Sequence, residues 1–206
     1  MAAVVSLDTL LAGRRVWRGR AAASAPAGQP SDHAGLDAAL PIGGWPEAAL
    51  TEVLLPADGV GELSLVLPTL ARLTGAGQNV AVIAPPYRPY PPGWVAAGVD
   101  FGHLHCIDAP PREALWASEQ CLRSGALAAV LCWPIGASDR ALRRLQVAAG
   151  TGRALGFVFR EARAAGNPSP AALRIAVETS PARLRVLKCR GGLVPTQTIA
   201  FAHPAH

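Results

Sequence analysis

Apolar residues along this chain follow two rhythms. Short runs rich in apolar residues predict strands at 50–55, 79–84, 104–108, 127–132 and 154–159. Between them, stretches with apolar residues every three or four positions predict helices at about 62–74, 111–124 and 138–150, and shorter helices in "GLDAALP" (35–41) and at 94–97. Strands that read as apolar on both faces, separated by helices, imply an α/β fold with a mostly parallel sheet covered on both sides. After "NPSP" the rhythm changes to period two in 172–179, 183–190 and 196–202. That pattern predicts a C-terminal antiparallel extension with one face toward water.

The N-terminal end is different. Residues 4–20 read as a short helix, with Val5, Leu7, Leu10, Leu11 and Trp17 apolar and Arg14, Arg15, Arg18 and Arg20 gathered toward its C-terminal end. "AAASAPAGQPSDHAG" follows, small and proline-containing, with the composition of a flexible linker. The expectation is an N-terminal helix and linker over 1–30 and one domain over 31–206. Two readings of the arm stand: a packed element whose arginines favour the helix C-terminus, or a tethered docking element in which Trp17 and Arg18 meet a partner.

Composition narrows the function classes. With 206 residues, half of them hydrophobic, the chain can bury one substantial core. No apolar run reaches the roughly 20 residues of a membrane span, and Asp8 interrupts the N-terminal apolar stretch, so the expectation is a cytoplasmic protein without a membrane partner. Net charge +5 permits contact with nucleic acid or an acidic partner without demanding it. Lys188 is the only lysine. Cys106, Cys121, Cys132 and Cys189 are far apart and form no CxxC, which reads as buried or reduced thiols. His103 and His105 form an HxH with no third ligand nearby, so no metal is expected.

One stretch carries a recognisable outline. "TEVLLPADGVGELSLVLPTLARL" (51–73) gives a buried strand, a glycine turn and an apolar helix, the layout of a phosphate-binding P-loop. A working P-loop follows its second glycine with Lys and then Ser or Thr, for the phosphates and for Mg²⁺. Here Gly59 and Gly61 are followed by Glu62 and Leu63. A carboxylate there repels a phosphate charge by about 1 kcal/mol at about 4 Å in water and roughly 4 at an effective dielectric of about 20. Downstream, "PPYRPYPPG" (85–93) places Tyr87, Arg88, Tyr90 and, just beyond, Trp94 on a proline-stiffened segment. Tyrosine, tryptophan and arginine are frequent interface anchors, and a stiff loop loses little entropy on docking. The alternative is a rigid connection that only positions the next helix.

The order of these motifs resembles the RecA-like ATPase core over about residues 31–200. On that resemblance the water-polarising carboxylate falls near Pro86, the Walker B aspartate near Cys132 and Trp133, and the γ-phosphate sensor near Glu161. The resemblance implies a degenerate core that holds no cofactor and hydrolyses no ATP. "GGWPEAALTEVLLPADGVGELSLVLPTLARLT", "APPYRPYPPGWVAAGVD", "ALWASEQCLRSGALAAVLCWP" and "RALRRLQVAAGTGRALGFVFR", with the leading "VWRGR", are more closely similar to the ImuA family. That family shares a superfamily with SulA. The resemblance implies a non-catalytic accessory protein of SOS-induced translesion synthesis, with an ImuB-like polymerase adaptor, RecA and an error-prone DNA polymerase III alpha subunit as partners. A SulA-like division inhibitor that binds FtsZ is the alternative. DNA contact is expected to be weak or indirect: the loops "PIGASD" (134–139) and "EARAAGNPSP" (161–170) are short, and Arg160 and Arg163 have no aromatic companion there.

Overall fold

The computed structural model describes residues 28–201; the predicted helix at 4–20, with Trp17 and Arg18, lies outside the described residues. The strands are β1 (Leu50–Leu55), β2 (Val80–Ile83), β3 (Leu104–Ile107), β4 (Ala129–Cys132), β5 (Leu155–Glu161), β6 (Leu173–Thr179), β7 (Ala182–Cys189) and β8 (Ile199–Ala200). They form one sheet in the order β3-β2-β4-β5-β1-β6-β7-β8. Every neighbouring pair from β3 to β6 is parallel, and β6–β7 and β7–β8 are antiparallel. The α/β class and the parallel core agree with the apolar runs. One correction concerns β6, read as part of the antiparallel extension: it joins β1 in parallel, and β7 alone runs against the sheet.

The helices are α1 (Ala34–Ala39), α2 (Glu62–Gly75), α3 (Pro91–Ala96), α4 (Pro111–Arg123) and α5 (Asp139–Gly152). On one face Leu65, Leu70 and Leu73 of α2 meet Val53, Val82 and Phe157. On the other, Leu122 of α4 and Leu142 and Leu145 of α5 meet Ala81, Val130 and Val158. Each such leucine contributes about 1.5–3 kcal/mol through burial. Helix α3 starts at Pro91, three residues before the expected 94. Pro91 and Pro92 fill its first turn, where no backbone N–H is needed.

Helix α2 contains Pro68, which cannot donate to the carbonyl of Ser64. His33 Nε2 lies 3.2 Å from that carbonyl and 3.1 Å from the Leu65 carbonyl. Because carbonyls only accept, this nitrogen carries the proton and replaces the donor that proline removed. Residues 28–30, read as the end of the linker, belong to the folded part: Gly28 N–H donates to the Ile42 carbonyl, and Gln29 and Trp45 exchange both backbone hydrogen bonds. Trp45 is fully buried, donates to Thr69 Oγ1 at 2.8 Å and meets Phe157 edge-on, which anchors this segment.

A charged cluster ties the sheet's centre together. Glu52 of β1 is 1% exposed. Arg160 of β5 donates to its Oε1 at 2.5 Å and Arg174 of β6 to its Oε2 at 2.6 Å. The remaining guanidinium donors reach the carbonyls of Ala137, Ala164 and Ala165. Those contacts hold the loop after β4 and the short turn Ala162–Gly166 against the sheet.

Cys132 closes β4, fully buried, and desolvation pushes its thiol from an ordinary 9.0 to about 12, with a Ser118 hydrogen bond acting the other way. A raised folded pKa means stability that is intact below the unfolded value and lost as pH rises toward the folded one. Melting temperature should therefore fall between pH 9 and about 12. Cys132→Ala should flatten that decline relative to its own value at pH 8 by up to about 4 kcal/mol, one pKa unit being about 1.4 kcal/mol.

Candidate functional site

Strands β2, β4, β5 and β1 are consecutive in the sheet, so the segments that leave their C-terminal ends lie side by side. The edge beyond the carboxyl ends of parallel strands is where open α/β sheets place ligands. Here those segments are the turn after β1, the aromatic loop after β2, Trp133 after β4, and Glu161 at the end of β5.

The turn after β1 is built on two glycines. Gly59 and Gly61 have φ of 78° and 94°, left-handed values that a side chain strains. Glu62 then opens α2. Its carboxylate bends back into the turn: Glu62 Oε1 accepts the Gly59 N–H at 3.0 Å, and the residue is 3% exposed. From the sequence, this charge is expected to repel a phosphate. In the structure the acid fills the turn and takes one of the N–H groups that would otherwise face an anion. A carboxylate in the first turn of a helix is also favoured by the helix dipole.

The aromatic set divides. Tyr87 and Tyr90 are 67% and 70% exposed, and Arg88 beside them is exposed. A Cβ on Gly59 would lie 3.8 Å from the Tyr87 ring, so the loop after β2 reaches over the glycine turn. Trp94 is buried at 5% exposure and packs edge-on against Phe101 at 6.4 Å. It serves α3 packing rather than the open surface. Trp94→Ala should cost about 3–5 kcal/mol in unfolding free energy by urea titration, with Tyr87→Ala nearly neutral in the same assay.

Glu62, Tyr87, Tyr90, Trp94 and Trp133 line a cavity of about 630 Å³, completed by Leu63, Leu67 and the prolines of the loop. Trp133 stacks on Phe159 with ring centres 4.4 Å apart and planes 14° from parallel. In the sequence, Trp133 follows the "AVLC" run, where the resemblance to the RecA-like core places the Walker B aspartate. Its role as a wall comes only from the cross-strand Phe159. A second cavity of about 560 Å³ shares Pro86 and Trp133 and continues toward Asp58, Glu161 and Asn167. A third, of about 590 Å³, lies at the opposite sheet edge, near Asn79, Ala128 and Leu155.

Other candidates fall away from this mouth. Arg160, read as charge available to DNA, is consumed by Glu52 and the Ala137 carbonyl. Arg163 pairs with Glu161. His103 Nδ1 and His105 Nε2 both turn to Asn79 Oδ1, at 3.3 and 3.2 Å. Among the described residues no group of three or more His, Cys, Asp or Glu is placed to hold a metal ion, and no helix is long and apolar enough to cross a membrane.

No family model matches the chain, and no curated protein matches it. Among solved structures, the crystal structure of SulA from Pseudomonas aeruginosa is similar, with 27% identity, a TM-score of 0.47, and an alignment covering 56% of this chain and 99% of that one.

Proposed function

We propose that this chain is a degenerate RecA-like protein that works by binding other proteins, as an ImuA-like accessory factor of SOS-induced translesion synthesis. The observation that carries the non-catalytic part is Glu62: its carboxylate sits in the glycine turn and accepts the Gly59 N–H, where a nucleotide's phosphate would be held. Phosphoryl transfer rests on positioned cations that neutralise developing charge. The mouth offers Arg88 alone as a basic side chain in its lining, and Cys132 and Trp133 in place of a metal-holding acid. Support for the RecA-like reading comes from the sheet order, which brings the four positions matched to catalytic groups, at Glu62, Pro86, Trp133 and Glu161, onto one edge of neighbouring strands. The role in translesion synthesis rests on the motif series in the sequence.

The partners proposed are an ImuB-like adaptor and RecA, with the error-prone polymerase subunit reached through the adaptor. Co-elution of the purified chain with each of ImuB, RecA filament and FtsZ tests this directly. Retention with ImuB or RecA is the expected result. Retention with FtsZ alone would move the chain to the division-inhibitor class, and retention with none would remove the proposal. On the partner that binds, Tyr87→Ala and Arg88→Ala should each weaken affinity by about tenfold or more without lowering the melting temperature. Unchanged affinity in both would place the contact elsewhere.

A further inference from the structure

Among the described residues, two buried side-chain polar atoms lack a hydrogen-bond partner: Glu62 Oε2 and Trp133 Nε1. Both residues line the same cavity of about 630 Å³. Buried groups of this kind are rare, and leaving each unpaired is destabilising. Their coincidence in one cavity, one an acceptor bearing charge and the other a donor, points to an occupant that supplies both complements.

We infer that this cavity receives an extended peptide segment of a partner, with an arginine side chain directed at Glu62 Oε2 and a backbone carbonyl accepting from Trp133 Nε1. The inference rests on the protein-binding reading above and specifies its chemistry. Three observations select the occupant. The unpaired oxygen belongs to a carboxylate, so its complement is a donor and preferably a cation. The walls are aromatic and apolar, with Tyr87, Tyr90 and Trp133 in the lining, surfaces on which a planar guanidinium and an apolar backbone segment both pack. Arg88, the one basic residue of the lining, is exposed and makes no ion pair among the described residues, so it leaves Glu62 without a counter-charge. An acidic segment or a phosphate would place like charge against Glu62.

Both orphan atoms are closed to water as the chain stands. The incoming segment therefore displaces wall side chains as it enters, and the exposed tyrosines are the ones with room to move.

The probe is a capped pentapeptide of alanine and leucine with arginine at its centre, compared with the same peptide carrying citrulline or glutamate there. Binding to the full chain is read by tryptophan fluorescence and by chemical-shift changes of the indole N–H signals. The arginine peptide should bind at least about tenfold more tightly than either control. Glu62→Gln should erase that preference. Trp133→Phe, which keeps the ring stack and loses the N–H, should weaken all three peptides by a similar factor. Equal affinity for the three peptides, an arginine preference that survives in Glu62→Gln, or no binding at about 10 mM peptide overturns the inference. Should Glu62→Gln melt early, the peptide comparison on the unaltered chain and on Trp133→Phe still decides. A chain that binds ImuB or RecA but ignores the arginine peptide keeps its proposed function and loses this pocket. One that takes the peptide yet binds none of the tested proteins keeps the pocket and loses the assigned partners.

Discussion

Replacing Glu52 by alanine will lower the unfolding free energy by about 3–5 kcal/mol, the cost of leaving buried charge uncompensated. Two guanidinium groups, on Arg160 and Arg174, converge on this one carboxylate, with their side chains 10% and 8% exposed. Removing the acid leaves both cations facing each other with water excluded. Glu52→Gln should lose less, because its one amide oxygen still accepts from one arginine while its NH₂ opposes the other. The damage should extend beyond stability. The two arginines also hold the carbonyls of Ala137, Ala164 and Ala165, so amide exchange in both loops should accelerate with the substitution. Urea titration followed by tryptophan fluorescence measures the first effect, and hydrogen exchange the second. A loss below about 1 kcal/mol would show that the network holds loop position rather than fold. An apolar replacement of all three residues should recover most of the stability, since a packed hydrophobic cluster often equals a buried ion network.

The second large expectation is a null that mutation does not reverse. Supplied with ATP and Mg²⁺, with or without single-stranded DNA, the chain should release phosphate at the rate of the buffer alone. Glu62→Lys should remain equally inactive, since on the proposed RecA-like reading Cys132 and Trp133 fall at the position of the metal-holding acid and Pro86 at that of the base. Glu62→Ala separates binding from chemistry. It frees the Gly59 N–H and removes a negative charge from the turn, so affinity for inorganic phosphate should rise by about tenfold or more while turnover stays absent. Phosphate release by the unaltered chain above a Glu62→Ala control would refute the non-catalytic reading. Equal phosphate affinity in the two proteins would refute the account of Glu62 as the turn's own anion.

Periodicity exposed most of the sheet and less of its wiring. The strands β2 and β4 are apolar on both faces, the mark of a buried parallel strand, while β1 carries Thr51 and Glu52 and β3 exposes His105 and Cys106 at the sheet edge. β6 defeated the same test because Arg174 reads as the polar face of an alternating strand, whereas Glu52, far away in sequence, buries it. The error at α3 had a local cause: two prolines look like loop until their place in a helix's first turn is recognised. At the mouth, the glycines, the missing lysine and the aromatic loop were all legible from residue type and spacing. Whether Trp94 faced outward was not, because six residues of helix carry too little periodicity to set a face. The direction of the Glu62 side chain was equally hidden. A carboxylate that repels a ligand and one that replaces it have the same letter in the sequence, and only the 3.0 Å contact with Gly59 tells them apart.

That contact also bears on timing. A nucleotide-driven protein has a loaded form and an empty form, and the passage between them works as a clock for its associations. With Glu62 lodged in the turn, the proposed reading gives this loop neither form. On the proposed non-catalytic reading, whatever the mouth binds should be bound equally well when ATP is plentiful and when it is exhausted, with no hydrolysis step to release it. Engagement is then set by how much protein is made and how much partner is present, and it ends by dilution, competition or degradation.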